Sequence, residues 1–254
     1  FYIKILIVIN LSFTFFSCES PVKKQPNIIY ILADDLGYGE LGVYGQKKIE
    51  TPNIDNLSKS GMIFTNHYTG APVCAPARSV LMTGMHQGNN HIRANAEWSE
   101  RGNVWSFQAM FDDPNLEGQR PLLDSIITIA QVLKDNGYKT GMVGQWGLGA
   151  PLTSSIPNKK GFDFFYGYNC QRQAHNLYPT HLWKNEKRHI LKNYIVDKGL
   201  DGKDPYLKES YNKYNQKDYA PTLMHNEALA FIEENKTSPF FLYYASPLPH
   251  LPLQ

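Results

Sequence analysis

The chain has 254 residues, with 25 Lys+Arg against 23 Asp+Glu, a formal net charge of +2, 42% hydrophobic residues and 19% charged residues. That length fits one large domain or two small ones, and the near-neutral, moderately apolar composition excludes a disordered chain and lacks the basic surface of a nucleic-acid binder. Three cysteines are too few for a disulfide scaffold, so a packed core has to hold the fold.

Residues 1–16 (FYIKILIVINLSFTFF) form one apolar stretch with a single charge, Lys4, followed by Ser17-Cys18. A membrane span takes ~20 apolar residues, and the small Ser17 sits where a signal peptide is cut. Residues 1–18 therefore read as an export signal, either an ordinary one or a lipoprotein type in which Cys18 is lipidated, although Phe15-Phe16 departs from the usual aliphatic and small residues of the latter. Either way the mature protein is expected outside the cytoplasm, periplasmic or lipid-anchored to the cell envelope, touching a membrane only through that anchor. The chain opens on Phe1 and stops soon after an apolar run, which leads us to expect a fragment of a longer protein.

Residues 27–33 (NIIYILA) form a continuous apolar run between Pro26 and Asp34-Asp35, the pattern of a parallel strand buried on both faces. Thr51-Pro52 opens a short helix carrying Ile54 and Leu57, and Gly61 closes it. Residues 62–68 are a second strand candidate. Thr128 caps a helix with Ile129, Val132 and Leu133 on one face, Asn136-Gly137 ends it, and residues 138–143 follow as strand. Residues 223–234 read as helix with Ala228, Phe231 and Ile232 inward, and Pro239 leads into a strand at 240–245. Residues 95–123 and 182–218 show little periodicity and read as loops or insertions. Alternating strand and helix predicts an α/β domain, a mainly parallel central sheet with helices on both faces and ligands beyond the carboxyl ends of its strands.

At that edge stand Asp34 and Asp35. Neighbouring carboxylates repel unless a cation neutralises them, and Ca²⁺ or Mg²⁺ with oxygen ligands would do so; a solvated Asp-Asp-Leu-Gly turn is the other reading. Further on, Pro76 in Cys74-Ala75-Pro76-Ala77-Arg78 suits the first position of a helix running to Gly84, which sets Cys74 just ahead of an anion-favouring N-terminus. Arg78 then lies one turn inside, adding positive charge; a buried inert thiol and a surface arginine are the alternative.

Cys74 to Arg78 match the Cys-x-Pro-x-Arg signature of the sulfatases. Pro26-Asn27-Ile28-Ile29, Asp34-Asp35-Leu36-Gly37, Thr51-Pro52-Asn53-Ile54-Asp55, residues 61–68 and residues 79–84 match the family's blocks in the same order. The chain resembles the front part of an arylsulfatase-type enzyme, residues 26–254 being the N-terminal part of a catalytic domain with the alkaline-phosphatase-like fold. The resemblance implies that a formylglycine-generating or anaerobic maturase system converts Cys74 to Cα-formylglycine, which hydrates to a gem-diol. It implies that Asp34, Asp35 and the matured Cys74 bind Ca²⁺, in preference to Mg²⁺, and that Arg78 holds the diol. A diol suits the chemistry: after an oxygen nucleophile has taken the sulfuryl group, the second hydroxyl can expel sulfate and restore the aldehyde.

By the same resemblance, His250 in Ser246-Pro247-Leu248-Pro249-His250 contacts the substrate sulfate. His175, in Gln171-Arg172-Gln173-Ala174-His175-Asn176, is a substrate ligand or leaving-group acid, with a structural role as the alternative. One block departs. Where relatives carry Gly-Lys-Trp-His-Leu-Gly, or Gly in place of His, this chain has Gly144-Gln145-Trp146-Gly147-Leu148-Gly149. Gln145 thus stands at a sulfate-binding position without the lysine charge, a loss of a few kcal/mol of transition-state stabilisation by the measure of single oxyanion donors. The family's Asp-Asn pair that completes the metal site is expected beyond residue 254. The implied reaction is hydrolysis of a sulfated small molecule or polysaccharide to an alcohol and sulfate. Alternatives are a phosphate or phosphonate ester hydrolase, and a catalytically impaired binder of sulfated glycans.

Overall fold

The computed structural model describes residues 25–196, 209, 212 and 214–250. The expected export signal, Cys18 included, lies outside the described residues. Strands β1 (Ile28–Ala33), β2 (Lys139–Gln145), β3 (Phe164–Tyr168), β4 (His181–Lys184), β5 (Lys187–Ile190) and β6 (Phe240–Ser246) form one sheet in the order β1-β6-β2-β3-β4-β5. The first four strands in that order are parallel, in registers such as Ile31 with Tyr244 and Met142 with Tyr243. β4 and β5 add an antiparallel hairpin at one edge.

The helices are α1 (Pro52–Ser60), α2 (Cys74–Thr83), α3 (Phe107–Asp112), α4 (Ile129–Asp135), α5 (Gln171–Ala174) and α6 (Ala220–Asn235). Alternate side chains of the central strands feed two cores, as the two-residue period of a strand requires. Phe241, Tyr243 and Met142 pack with Ala75 and Met82 of α2 and Ala130 of α4. Phe240, Leu242 and Val143 pack on the opposite face with Met224, Ala228 and Phe231 of α6. Full burial of each such large side chain contributes about 1.5–3 kcal/mol. The expected α/β sheet with helices on both faces is therefore present. Among the described residues no helix is long and apolar enough to cross a membrane.

Several local expectations need correction. β1 forms where expected but is not buried on both faces: it lies at the sheet edge, and Ile29 and Ile31 are 48% and 67% exposed. Residues 62–68 are not a strand; Met62, Phe64 and Tyr68 stand exposed and no neighbouring strand offers ladder bonds, so the segment is fastened by contacts such as the Tyr44 hydroxyl donating to the Phe64 carbonyl at 2.9 Å. In α4, Thr128 and Gln131 form the cap reciprocally, but Ala130 and Leu133 face the core while Ile129 and Val132 are exposed.

Nor are 95–123 and 182–218 simply loops. The first carries α3 and buries Val104, Met110 and Leu122; the second contributes most of the β4–β5 hairpin. The two are joined by the fully buried Glu117, whose carboxylate lies 2.8 Å from His181 Nε2, accepts from Trp183 Nε1 at 2.5 Å and pairs with Arg188 at 3.4 Å. An ion buried this deeply is tolerated because donors surround it.

Candidate active site

The carboxyl ends of β1, β2 and β6 meet at one edge of the sheet. Asp34 and Asp35 leave β1 there, Gln145 ends β2, and His250 follows β6, held close by the Asp34 N–H donating to the Leu248 carbonyl at 3.0 Å. Asp35 takes φ 58, a left-handed conformation that aspartate tolerates better than most residues.

Cys74 is the first residue of α2 rather than a residue ahead of it, with Val73 as the cap and Pro76 in the first turn. Proline is accepted there because first-turn N–H groups have no intrahelical partner in any case. The Ala75 N–H instead donates to Asn95 Oδ1 at 2.7 Å. The Cys74 thiol donates to Asp34 Oδ1 at 3.3 Å. Burial, reinforced by the Asp34 carboxylate and opposed by Arg78, pushes that thiol up to about 11, so it is neutral at pH 7.

Arg78, one turn inside α2, is 1% exposed, which overturns the surface alternative. Its guanidinium donates to the Gln145 carbonyl at 2.8 Å, to Gln145 Oε1 at 3.0 Å and to the Tyr243 hydroxyl at 3.4 Å, and it pairs with Asp34 Oδ2 at 3.4 Å. Gln145 is fully buried, and its Nε2 donates to Gln171 Oε1. The amide is thus spent on Arg78 and Gln171.

His175 and His250 stack face to face with ring centroids 4.1 Å apart and planes 9° apart, and His250 Nε2 lies 3.3 Å from Asp35 Oδ2. Burial, with His250 alongside, holds His175 below the ordinary imidazole range. All seven expected residues therefore gather at one place: Asp34, Asp35, Cys74, Arg78, Gln145, His175 and His250.

Two sets of donors in this cluster bring their ligating atoms within 4.8 Å of one another: Asp34, Asp35 and Cys74, and Cys74, His175 and His250. The first fits a hard cation. Two carboxylates converge beside the Cys74 sulfur, and oxygen donors from adjacent residues of this kind are what a hard divalent cation takes. The second fits a metal poorly, because in nearly parallel stacked rings the in-plane nitrogen lone pairs run alongside each other instead of converging.

Sequence reasoning missed Tyr243, Asn95 and the partner role of Gln171. Asn95 lies in the stretch without periodicity, and Tyr243 reads only as one more residue of an apolar strand. Cys170 is fully buried, and its sulfur accepts from the Gln173 N–H at 3.3 Å as the cap of α5.

A family model described as Sulfatase matches residues 26–254. Human steryl-sulfatase is 39% identical over 169 residues, 65% of this chain and 27% of that protein. Human arylsulfatase A is 32% identical over 240 residues, 91% of this chain and 42% of that protein. The solved structure of Ps i-CgsB is 32% identical, with a TM-score of 0.64 over 91% of this chain and 47% of its own; it has also been solved in complex with k-i-k-neocarrahexaose. The chain thus spans less than half the length of each of these relatives. Its mainly parallel sheet between helices is the alkaline-phosphatase-like arrangement of the solved relatives. With matches over most of its length and this edge geometry, the chain belongs to the sulfatase family.

Proposed function

We propose that the protein of which this chain is part hydrolyses sulfate esters to an alcohol and sulfate. The observation that carries the reading is the convergence of Cys74, Asp34 and Asp35 within 4.8 Å, backed by a buried arginine. A Ca²⁺ ion held by Asp34, Asp35 and the matured residue 74 would polarise sulfate oxygens, and formylglycine derived from Cys74 would supply a hydrated nucleophile.

The residues of this chain give that chemistry its frame. Arg78 fixes the Asp34 carboxylate from the buried side and places positive charge behind residue 74. Gln145 acts through Arg78, orienting the guanidinium by accepting at two oxygens. His175, kept neutral by burial and with a ring nitrogen within 4.8 Å of the Cys74 sulfur, takes the proton of the attacking hydroxyl on residue 74 and returns it to the departing alcohol oxygen, and its stacked partner His250 faces the sulfate from beside Asp35. The Cys74 N-terminus of α2 presents its dipole to the same anion. The substrate class is a sulfated saccharide or small molecule, in keeping with the oligosaccharide bound to Ps i-CgsB. The reading also requires a maturase partner for Cys74 and export through residues 1–18.

The test is the full-length protein produced with a formylglycine-generating system. The peptide containing Cys74 should carry the aldehyde by mass spectrometry, 4-nitrophenyl sulfate should be cleaved in a cation-dependent way, and Cys74→Ala should abolish turnover. An unmodified thiol in active enzyme defeats the mechanism. Faster cleavage of 4-nitrophenyl phosphate would favour the phosphate ester reading, and tight glycan binding without turnover the impaired binder.

A further inference from the structure

Asn95 belongs to neither a strand nor a helix, yet its side chain reaches the first turn of α2, where the Ala75 N–H donates to its Oδ1 at 2.7 Å. The helix has a use for that bond. Val73 at the N-cap has no side-chain oxygen and makes no side-chain cap bond. A first-turn N–H that serine or aspartate would satisfy from the cap position itself is satisfied here by a residue 20 positions further along the chain.

That bond also decides which way round the amide stands. A backbone N–H donates only to an acceptor, so the oxygen end of the side chain is committed to Ala75, and the end left for residue 74 is Nδ2, which only donates. Accordingly the Asn95 side chain hydrogen-bonds the Cys74 sulfur, where it opposes the upward pull of burial on the thiol. The other polar neighbours of that sulfur differ in kind. Asp34 Oδ1 accepts from the thiol, the Arg78 guanidinium is taken up by Gln145, Tyr243 and Asp34, and His175 and His250 bring ring nitrogens. Asn95 supplies a neutral donor, and from the open side, since it is exposed where Arg78 is buried. An aspartate at 95 would cap α2 as well beside the positive end of the helix dipole, but it would have no hydrogen to give residue 74.

Resting on the sulfatase reading above, we propose that Asn95 is a further catalytic residue: with Oδ1 anchored on the Ala75 N–H, its Nδ2 donates to an oxygen of the matured side chain at position 74 and holds the attacking hydroxyl toward the ester sulfur. Asn95 makes and breaks no covalent bond. It fixes the nucleophile in place before the reaction, so that no reorganisation is needed when charge develops there. A donor lost from an oxyanion costs about 10²–10³ in rate; a donor to a hydroxyl is worth less, on the order of 10-fold.

The test compares wild type, Asn95→Ala and Asn95→Asp as full-length proteins, matured and saturated with Ca²⁺. With kcat corrected for the aldehyde content of the peptide containing residue 74, both variants should lose about 10-fold in kcat on 4-nitrophenyl sulfate while KM stays within about 3-fold, because the nucleophile and not the substrate is displaced. Their melting temperatures should part: Asn95→Ala loses the cap and melts lower, whereas Asn95→Asp keeps the acceptor and does not. A residue that only caps the helix would leave Asn95→Asp as active as wild type, and that result overturns the proposal. So does an Asn95→Ala variant within about 3-fold of wild-type kcat, since a loss confined to Asn95→Asp would come from its added charge. A second readout needs no turnover. In protein produced without the maturation system, alkylation of Cys74 by iodoacetamide, followed on its own peptide, should slow about 3-fold or more in Asn95→Ala, where the thiolate has lost its donor. An unchanged or faster rate overturns the contact. Slowed alkylation together with an aldehyde-bearing wild type that cleaves no sulfate ester would leave the contact standing and defeat the proposed activity instead.

Discussion

Arg78 and Asp34 are the pair on which the site's electrostatics turn, and their coupling can be measured. In Arg78→Met, a side chain of similar length replaces a guanidinium that is 1% exposed and donates to Gln145 at 2.8 and 3.0 Å. The change leaves the Asp34 carboxylate, 6% exposed, without its cation, retaining from the site only the Cys74 thiol at 3.3 Å. Breaking a buried pair from one side costs about 3–5 kcal/mol. Asp34→Asn should cost less, about 1–3 kcal/mol, because Arg78 keeps the two Gln145 oxygens as acceptors. With both replaced no buried charge is left alone, so the double variant should fall short of the sum by about 1–3 kcal/mol. The assay is urea unfolding of the full-length protein in chelator, followed by tryptophan fluorescence, for the wild type and three variants. An additive cycle, or a cost for Arg78→Met under about 1 kcal/mol, would refute the claim that Arg78 compensates Asp34.

Calcium should raise the melting temperature of the chelated protein, by the equivalent of about 2.7 kcal/mol at a hundredfold excess over the dissociation constant, and Asp35→Asn should remove most of that shift; indifference of both proteins to Ca²⁺ would count against a cation at this cluster. Gly147→Ala should destabilise by about 1–3 kcal/mol, since Gly147 has φ +70 and an added Cβ would lie 1.5 Å from Gln171 Nε2; trimming Gln171 to Ala in the same chain should recover part of the loss in thermal unfolding, and no recovery would mean the strain lies in the backbone alone. Glu97 is pushed up to about 7 by burial, opposed by the Arg172 N–H. Its folded form therefore keeps a proton that the unfolded chain gives up near pH 4.5, and stability attributable to it falls as pH rises from about 4.5 to 7. Glu97→Gln should gain about 3 kcal/mol relative to wild type at pH 8 and nothing below pH 4.5; a gain independent of pH would contradict the assignment.

What the sequence disclosed, and what it concealed, follows from the range of the interactions. Asp34-Asp35 and Cys74 to Arg78 are legible because each is a local motif whose geometry is set by the strand or helix carrying it. The stacking of His175 on His250 is not, since nothing in either segment announces the other. Hydrophobic pattern states what can be buried but not what covers it, so β1 is right as a strand and wrong in its burial. The β4–β5 hairpin was legible in principle: HLWK and KRHI flank Asn185-Glu186, and Asn185 takes the φ of 54 that asparagine supplies in tight hairpin turns. The polar residues of those short runs hid it.

The departures at 145 and 147 show the same limit from the other side. Taken one position at a time, Gln145 loses a cation and Gly147 loses an imidazole, and both look like damage to a sulfate site. In the fold they are one arrangement. The missing Cβ at Gly147 opens the space that Gln171 Nε2 occupies; Gln171 Oε1 then accepts from Gln145 Nε2, and Gln145 Oε1 accepts from Arg78. A lysine at 145 keeps the backbone carbonyl but has no side-chain acceptor to offer Arg78, and a histidine at 147 would collide with Gln171. The Gln145–Gln171 contact therefore depends on glycine at 147. Together they build a neutral amide chain that steadies the buried Arg78 guanidinium.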